Sequence, residues 1–322
     1  MNRHSTKLFA ALGVAVVSLV VLVSRDAAAQ SDPKFDFGKP EAVKAVEWKS
    51  QVKGGLLATT GNSQTINGSV GASVSRKEGN NKLALDGNLA YGKSRIITAT
   101  PDAAVANQTD LNEQSIETTN NWLAKGRYDR FFTLNNAGYA LAQAGADKIA
   151  GKTFMGGGQV GYSRQLHKSD LQLLVAEIGY DFSYERYIQV PMKTLDPVSI
   201  HSARVFVGDT LKLSDATGIT GSVEALFNLN KEGAAINVDT GKLGVDPFKD
   251  TRINGKVGLT TTLHKDLSIG VGFTLKYDEN PAPRPIPAGV PATDTIVYGP
   301  GLGQFSQTVD TQTEITLIYT FL

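Results

Sequence analysis

The stretch "DLQLLVAEIGYDFSYER", residues 170–186, sets Leu174, Ala176, Ile178, Tyr180, Phe182 and Tyr184 against Val175, Glu177, Gly179, Asp181, Ser183 and Glu185. Side chains of an extended chain alternate between two faces, so this run has one apolar face and one that carries three carboxylates. It is also long, because an ordinary globular strand has about 5–6 residues and a tilted membrane-crossing strand needs roughly 9–11.

The same period of two recurs along the chain. Ile66, Val70, Ala72 and Val74 oppose Asn67, Ser69, Ser73 and Ser75, and Leu83, Leu85, Leu89 and Tyr91 oppose Asp86 and Asn88. Ile253, Val257, Leu259 and Leu263 oppose Asn254, Lys256, Thr260 and Thr262. About twelve such runs are expected, near 48–59, 64–76, 82–97, 114–127, 131–142, 152–166, 170–186, 200–213, 218–230, 251–264, 267–278 and 306–321. After a first hairpin closed by Thr-Gly-Asn, short turns ("RKEGNNK", "YDR", "HKSD", "SDATG", "HKD") alternate with longer loops such as "KEGAAINVDTGKLGVDPFKD". Short turns at one end and long loops at the other are the habit of membrane barrels.

Composition narrows the chemistry. The 322 residues include no Cys, which removes disulfides, thiolate catalysis and Cys-ligated metals. A formal charge of +1 offers no basic field for nucleic acid. The start, "MNRHSTK" followed by "LFAALGVAVVSLVVLV" and "SRDAAAQ", has the cationic, apolar and small-residue order of a secretory signal peptide cleaved after Ala29. Removing residues 1–29 takes away Arg3, Lys7, Arg25 and Asp26 and leaves 29 basic and 30 acidic residues. The expected organisation is a signal peptide at 1–29, a periplasmic extension at 30–47 and a barrel at 48–322.

The fold class expected is all-β: a transmembrane antiparallel up-and-down barrel of about twelve strands. Strand length, loop asymmetry and the leader together place the apolar face in lipid and the polar face inside. Trp48, Tyr91, Tyr128, Tyr184, Tyr277 and Tyr319 gather toward strand ends, with Phe321 beside Tyr319 in alternation, as interfacial aromatics do.

"WKSQVKGGLLATTGNSQTINGSVGASVSR", "RYDRFFTLNNAGYALAQAGADKIAGKTFMGGGQVGYSRQL" and "LLVAEIGYDFSYER" resemble the family grouped as a domain of unknown function, DUF481, some of whose members are described as salt-induced outer-membrane proteins. The most specific element is Trp48 followed by Gly61, Asn62 and Ser63. The ending "TEITLIYTFL" is similar to the terminal strand that barrel-insertion machinery recognises, departing from it in Leu322 after the Phe. The resemblance implies the outer membrane of a Gram-negative bacterium, with membrane lipid, lipopolysaccharide and the barrel-assembly machinery as partners. It implies no settled activity.

Catalytic and metal chemistry find little footing. A nucleophile and a His sharing one strand on the lipid face must lie two apart, but Ser202 beside His201 points the other way and position 203 is Ala. His167 and His264 are placed in short turns, and three scattered His offer no ligand spacing. No enzyme activity and no cofactor are expected. "GGGQVGY" at 156–162 lacks the following helix of a phosphate loop, so its glycines are read as room for a neighbouring side chain. "RYDRFF" at 127–132 is read as a hairpin with interface aromatics.

The lumen-lining candidates are Glu177, Asp181, Glu185, Arg204, Arg252, Lys256 and Lys276, because each falls on the polar face of its run. The loop after the seventh run suggests Ser183 opposite Arg204, with Arg204 diagonal to Asp181 and Glu185. Two function classes stay open: a narrow polar channel for ions or small solutes, and a non-conducting envelope protein that displays its long loops.

Overall fold

The computed structural model describes residues 46–59, 64–101, 109–188, 195–283 and 305–321. The signal peptide and nearly all of the extension expected at 30–47 lie outside these residues, as do Gly61, Asn62 and Ser63.

Every element among the described residues is a strand. They are β1 (Glu47–Thr59), β2 (Gln64–Glu78), β3 (Asn81–Pro101), β4 (Thr109–Phe131), β5 (Asn136–Asp147), β6 (Lys152–Lys168), β7 (Gln172–Tyr187), β8 (Val198–Lys212), β9 (Thr217–Asn228), β10 (Glu232–Ile236), β11 (Leu243–Val245), β12 (Arg252–His264), β13 (Leu267–Asp278) and β14 (Val309–Thr320). Twelve of them close into one barrel in chain order, and β10 and β11 form a separate two-stranded hairpin. The barrel closes through β1 and β14, which pair from Gln51↔Thr320 to Gly54↔Leu317. A hydrogen bond from the Phe321 amide to the Ser50 carbonyl extends that seam.

Alternation fixes which residues meet lipid. Leu56, Ile66, Val70, Leu89, Val160, Ile178, Leu259, Ile315 and Leu317 all point outward and are exposed, forming an apolar band that only a hydrocarbon environment tolerates at this extent. The chain is a transmembrane β-barrel. Five of its tight connections, at 79–80, 132–135, 169–171, 213–216 and 265–266, share one end with the start of β1 and the end of β14, while the four-residue turn at 148–151 lies at the other. Gly79, at φ 56°, supplies the left-handed residue that the two-residue β2–β3 loop requires.

Two local expectations are corrected. "YDR" is not a turn: β4 runs on through Phe131 because Arg127, Asp129 and Phe131 keep the inward parity, and β5 starts at Asn136 instead of near 131. The reversal falls at 132–135, where the Asn136 side-chain amide donates to Thr133 Oγ1 at 2.6 Å. The loop "KEGAAINVDTGKLGVDPFKD" contains the β10–β11 hairpin, whose apolar segments are too short to show a period. β3 and β4 also pair as far as Pro101↔Thr109, beyond the point where β4 last pairs β5 at Asn121, so this hairpin rises above the rim.

Candidate functional site

The inward faces of β4 to β9 carry a buried charge network arranged in tiers along β7. Strand rise puts Glu177, Asp181 and Glu185 about 13 Å apart from one to the next. At the lowest tier Glu177, with no exposed side-chain surface, accepts from Arg127 Nη2 at 2.7 Å and from Arg204 Nη1 at 2.8 Å. Ser163 Oγ donates to it as well, at 3.0 Å. Arg127 also forks onto Asp129, and Arg204 reaches Glu224 at 2.6 Å. Both guanidinium groups lie over Tyr139, at 4.3 and 5.5 Å from its ring centre. That ring has room because Gly161 and Gly179 face it; a Cβ on either would stand 2.7 or 2.6 Å from the Tyr139 hydroxyl.

Asp181 occupies the middle tier without an ion pair among the described residues, accepting from Gln159 Nε2 at 2.9 Å and Ser183 Oγ at 2.8 Å. At the upper tier Glu185 accepts from Arg252 Nη1 at 2.6 Å and Lys152 Nζ at 3.0 Å. Arg252 Nη2 also donates to Asp250 Oδ2 at 2.8 Å. Opposite charges at such distances, held by several donors, offset the cost of removing each ion from water.

Apolar layers seal this network at both ends. Toward the short turns Ala137 and Val175 pack with Phe131 and Leu173. Toward the long loops Tyr187, Leu195, Val198 and Ile200 meet Ala235, Ile236 and Val245 of the β10–β11 hairpin, with Ala282 and Phe305 from the last loop. Glu232, at the start of that hairpin, is 2% exposed and points back toward the charges. Its Oε1 accepts from Asn228 Nδ2 at 2.9 Å, while its Oε2 is buried with no hydrogen-bond partner.

The opposite arc of the lumen is different. Asp86 and Asn88 on β3, Lys256 on β12, Lys276 on β13, and Asp310 and Gln312 on β14 have inward parity yet are exposed. Gly71, Gly258, Gly270 and Gly272 share their face, and a Cβ on them would meet the side chains of Lys53, Thr220, Thr316 and Glu314 respectively.

The expected lining residues therefore divide into two groups. Glu177, Asp181, Glu185, Arg204 and Arg252 are gathered in the buried network, whereas Lys256 and Lys276 stand in the open arc, with Lys276 opposite Asp310. The register expected for Arg204 is corrected: it lies opposite Gly179, not Ser183. Val198 and Ile200 turn into the loop-end apolar core, so β8 begins early and brings Arg204 down to Glu177. Arg127, Asp129, Tyr139, Lys152, Glu224, Asp250 and Glu232 were not among the expected residues. The alternation Arg127-x-Asp129 was the one signal for the first pair.

Within this geometry, residues 52–321 match the family described as "Protein of unknown function, DUF481". The chain belongs to the DUF481 family. Among solved structures, the DUF481 barrel is similar to the NanC porin, at 9% identity over 85% of this chain and 100% of that chain with a TM-score of 0.42. It is similar to the translocator domain of the autotransporter NalP from Neisseria meningitidis, at 12% identity over 85% and 87% of the two chains with a TM-score of 0.38. OmpT of Vibrio cholerae gives 10% identity over 87% and 100%, also with a TM-score of 0.38. No curated protein matches the chain.

On the outer face of the DUF481 barrel, Trp48, Tyr128, Tyr319 and Phe321 point outward near the short-turn end. Tyr184 and Tyr277 lie toward the long-loop end of their strands, and Tyr91 stands at the middle of the long β3. His201 faces outward too, with Nδ1 hydrogen-bonded to the Tyr180 hydroxyl and its ring 5.3 Å from Phe182. His167 and His264 belong to the ends of β6 and β12, not to the turns. Among the described residues no three His, Cys, Asp or Glu side chains are grouped to hold a metal ion.

Proposed function

We propose that this DUF481 protein is an outer-membrane conduit for ions and small polar solutes, running along the open arc of its lumen. The observation that carries the reading is the asymmetry of the interior. The β4 to β9 side is filled by ion pairs, while Asp86, Asn88, Lys256, Lys276, Asp310 and Gln312 on the other side are exposed. Twelve strands give a barrel between the filled eight-stranded kind and the open sixteen-stranded porins, so a partly occupied lumen fits its size. In this reading the mature chain starts at Gln30, the short turns face the periplasm, and lipid, lipopolysaccharide and the assembly machinery acting on β14 are its partners. No catalysis is assigned to it. Single-channel recording of the refolded protein in symmetric salt should give discrete conductance steps. Silence under all voltages would overturn the conduit and favour a non-conducting envelope protein, a reading supported by the apolar seal of Val198, Ile200, Ile236 and Phe305.

A further inference from the structure

We propose that Glu232, facing Asp250, is a proton-binding site that latches the β10–β11 hairpin into the mouth of the barrel, seated when Glu232 is protonated and released when it ionises. Glu232 begins β10, and after Gly233 the rest of that strand joins the loop-end apolar core, Ala235 and Ile236 within it and Ala234 packed against it. Its carboxyl cannot leave the interior while they stay seated. Asp250 is 1% exposed and lies on the far side of Asn228, whose Oδ1 accepts from the Asp250 amide at 2.9 Å while its Nδ2 donates to Glu232. Asn228 thus ties the Glu232 carboxyl to the Asp250 backbone.

The groups facing this pair come from every neighbouring element: Arg252 from β12, Glu185 and Tyr187 from β7, Lys152 from β6 and Asp278 from β13. Among the described residues four carboxyls, Glu185, Glu232, Asp250 and Asp278, meet two cations, Arg252 and Lys152. Lys231 and Asp246 of the hairpin pair with each other on the exposed side, 3.5 Å apart, and do not enter the cluster. Arg252 is committed to Asp250 and Glu185, which leaves Glu232 with an amide donor on one oxygen and nothing on the other. A buried carboxylate in that position is costly, and a proton removes the cost.

The acidities agree. Burial, then the charge of Asp250, pushes the Glu232 carboxyl up to about 8 from an ordinary 4.5. Burial, opposed by Arg252 and reinforced by Asp278, raises Asp250 as well. A released hairpin returns the Glu232 carboxyl to water and to its ordinary range. Between about pH 4 and pH 8 the seated form therefore holds a proton that the released form has shed, so seating weakens as pH rises and is strongest in acid. That opening the latch widens the conduit rests on the function proposed above; the proton site itself does not.

The chain has no cysteine, so one thiol can be introduced at Ala235→Cys inside the seal and, separately, at Asp215→Cys in an exposed turn as the reference. Maleimide labelling of the refolded full-length protein at Ala235→Cys, relative to Asp215→Cys, should rise about tenfold or more between pH 5 and pH 8.5. In a Glu232→Gln background it should stay low throughout, because the amide cannot ionise. Equal relative labelling at both pH values, or an undiminished rise in the Gln variant, would overturn the proton site. Should Glu232→Gln not refold, the wild-type background still decides through the first comparison. Planar-bilayer recordings separate the two readings. Conductance that rises with pH in step with labelling supports both, and labelling that responds in a barrel silent at every pH keeps the site and overturns the conduit alone.

Discussion

Arg127 on β4 and Glu177 on β7 are joined by two hydrogen bonds, Nη2 to Oε1 at 2.7 Å and Nη1 to Oε2 at 3.2 Å, although β5 and β6 stand between their strands. The pair is a chord across the barrel interior rather than a contact along the wall. Such a chord holds the wall to one curvature.

Breaking it from one side should be costly. Glu177→Gln leaves Arg127 and Arg204 facing a neutral amide in a buried site, which is expected to destabilise the barrel by about 3–5 kcal/mol. Replacing Glu177, both arginines and their other partners, Asp129 and Glu224, by apolar residues of similar volume is expected to cost far less than the sum of the single changes. Urea unfolding of the refolded protein in detergent measures both, and additive single costs would show that the five do not act as a unit.

A glycine prediction follows from Tyr139. Gly161→Ala would set a methyl 2.4 Å from the Ile178 carbonyl oxygen and 2.7 Å from the Tyr139 hydroxyl. Backbone cannot yield as a side chain can, so a loss of about 1–3 kcal/mol is expected. Gly87→Ala, where a Cβ meets nothing within 4 Å, should be close to neutral in the same titration.

The two faces can be told apart by a charge. Ile178 is 61% exposed on the outer wall, and Ile178→Arg should cost about 2–4 kcal/mol if it lies near the bilayer midplane. Asn88→Arg, on the exposed part of the inner wall, should cost much less. Gly179 is a poor inward control, because any side chain there meets Tyr139 and the Val160 carbonyl. Equal penalties at Ile178 and Asn88 in liposome refolding would mean that the assignment of faces is wrong.

Ion preference should follow the exposed lysines and not the buried acids. Lys256→Glu and Lys276→Glu together are expected to move the reversal potential in a salt gradient toward cations, since both side chains stand in the open arc. Asp181→Asn, with its carboxyl sealed behind Gln159 and Ser183, should leave the reversal potential unchanged. A shift on Asp181→Asn with none on the lysine pair would place the pathway inside the network.

Strand number, facing and end asymmetry were legible because period two and turn chemistry are local properties. The register between β7 and β8 was not. A loop of ten residues, 188–197, permits several pairings, and the choice was made by Val198 and Ile200 entering an apolar core built from residues far away in sequence. Depth was hidden for a related reason. Glu177 and Lys256 have the same inward parity, yet one is sealed and the other exposed, because alternation reports a face and says nothing of what stands in front of it. Arg127 escaped notice because Tyr128 and Arg130 beside it suggested a hairpin tip, where the inward residues of an unbroken strand were needed.

The β1–β14 seam constrains how the molecule comes into being. Its paired residues, Gln51 to Gly54 and Leu317 to Thr320, are nearly the first and the last of the barrel. No ring can exist until β14 has been made, since the closing contact joins the two barrel strands farthest apart in sequence. Until then the nascent sheet has two raw edges, one of them on β1. Each other neighbour pair can zip from a turn or loop, but this junction must be found by search, with only a short run of hydrogen bonds to reward it. A truncation that removes β14 should therefore abolish the fold entirely instead of leaving a smaller barrel.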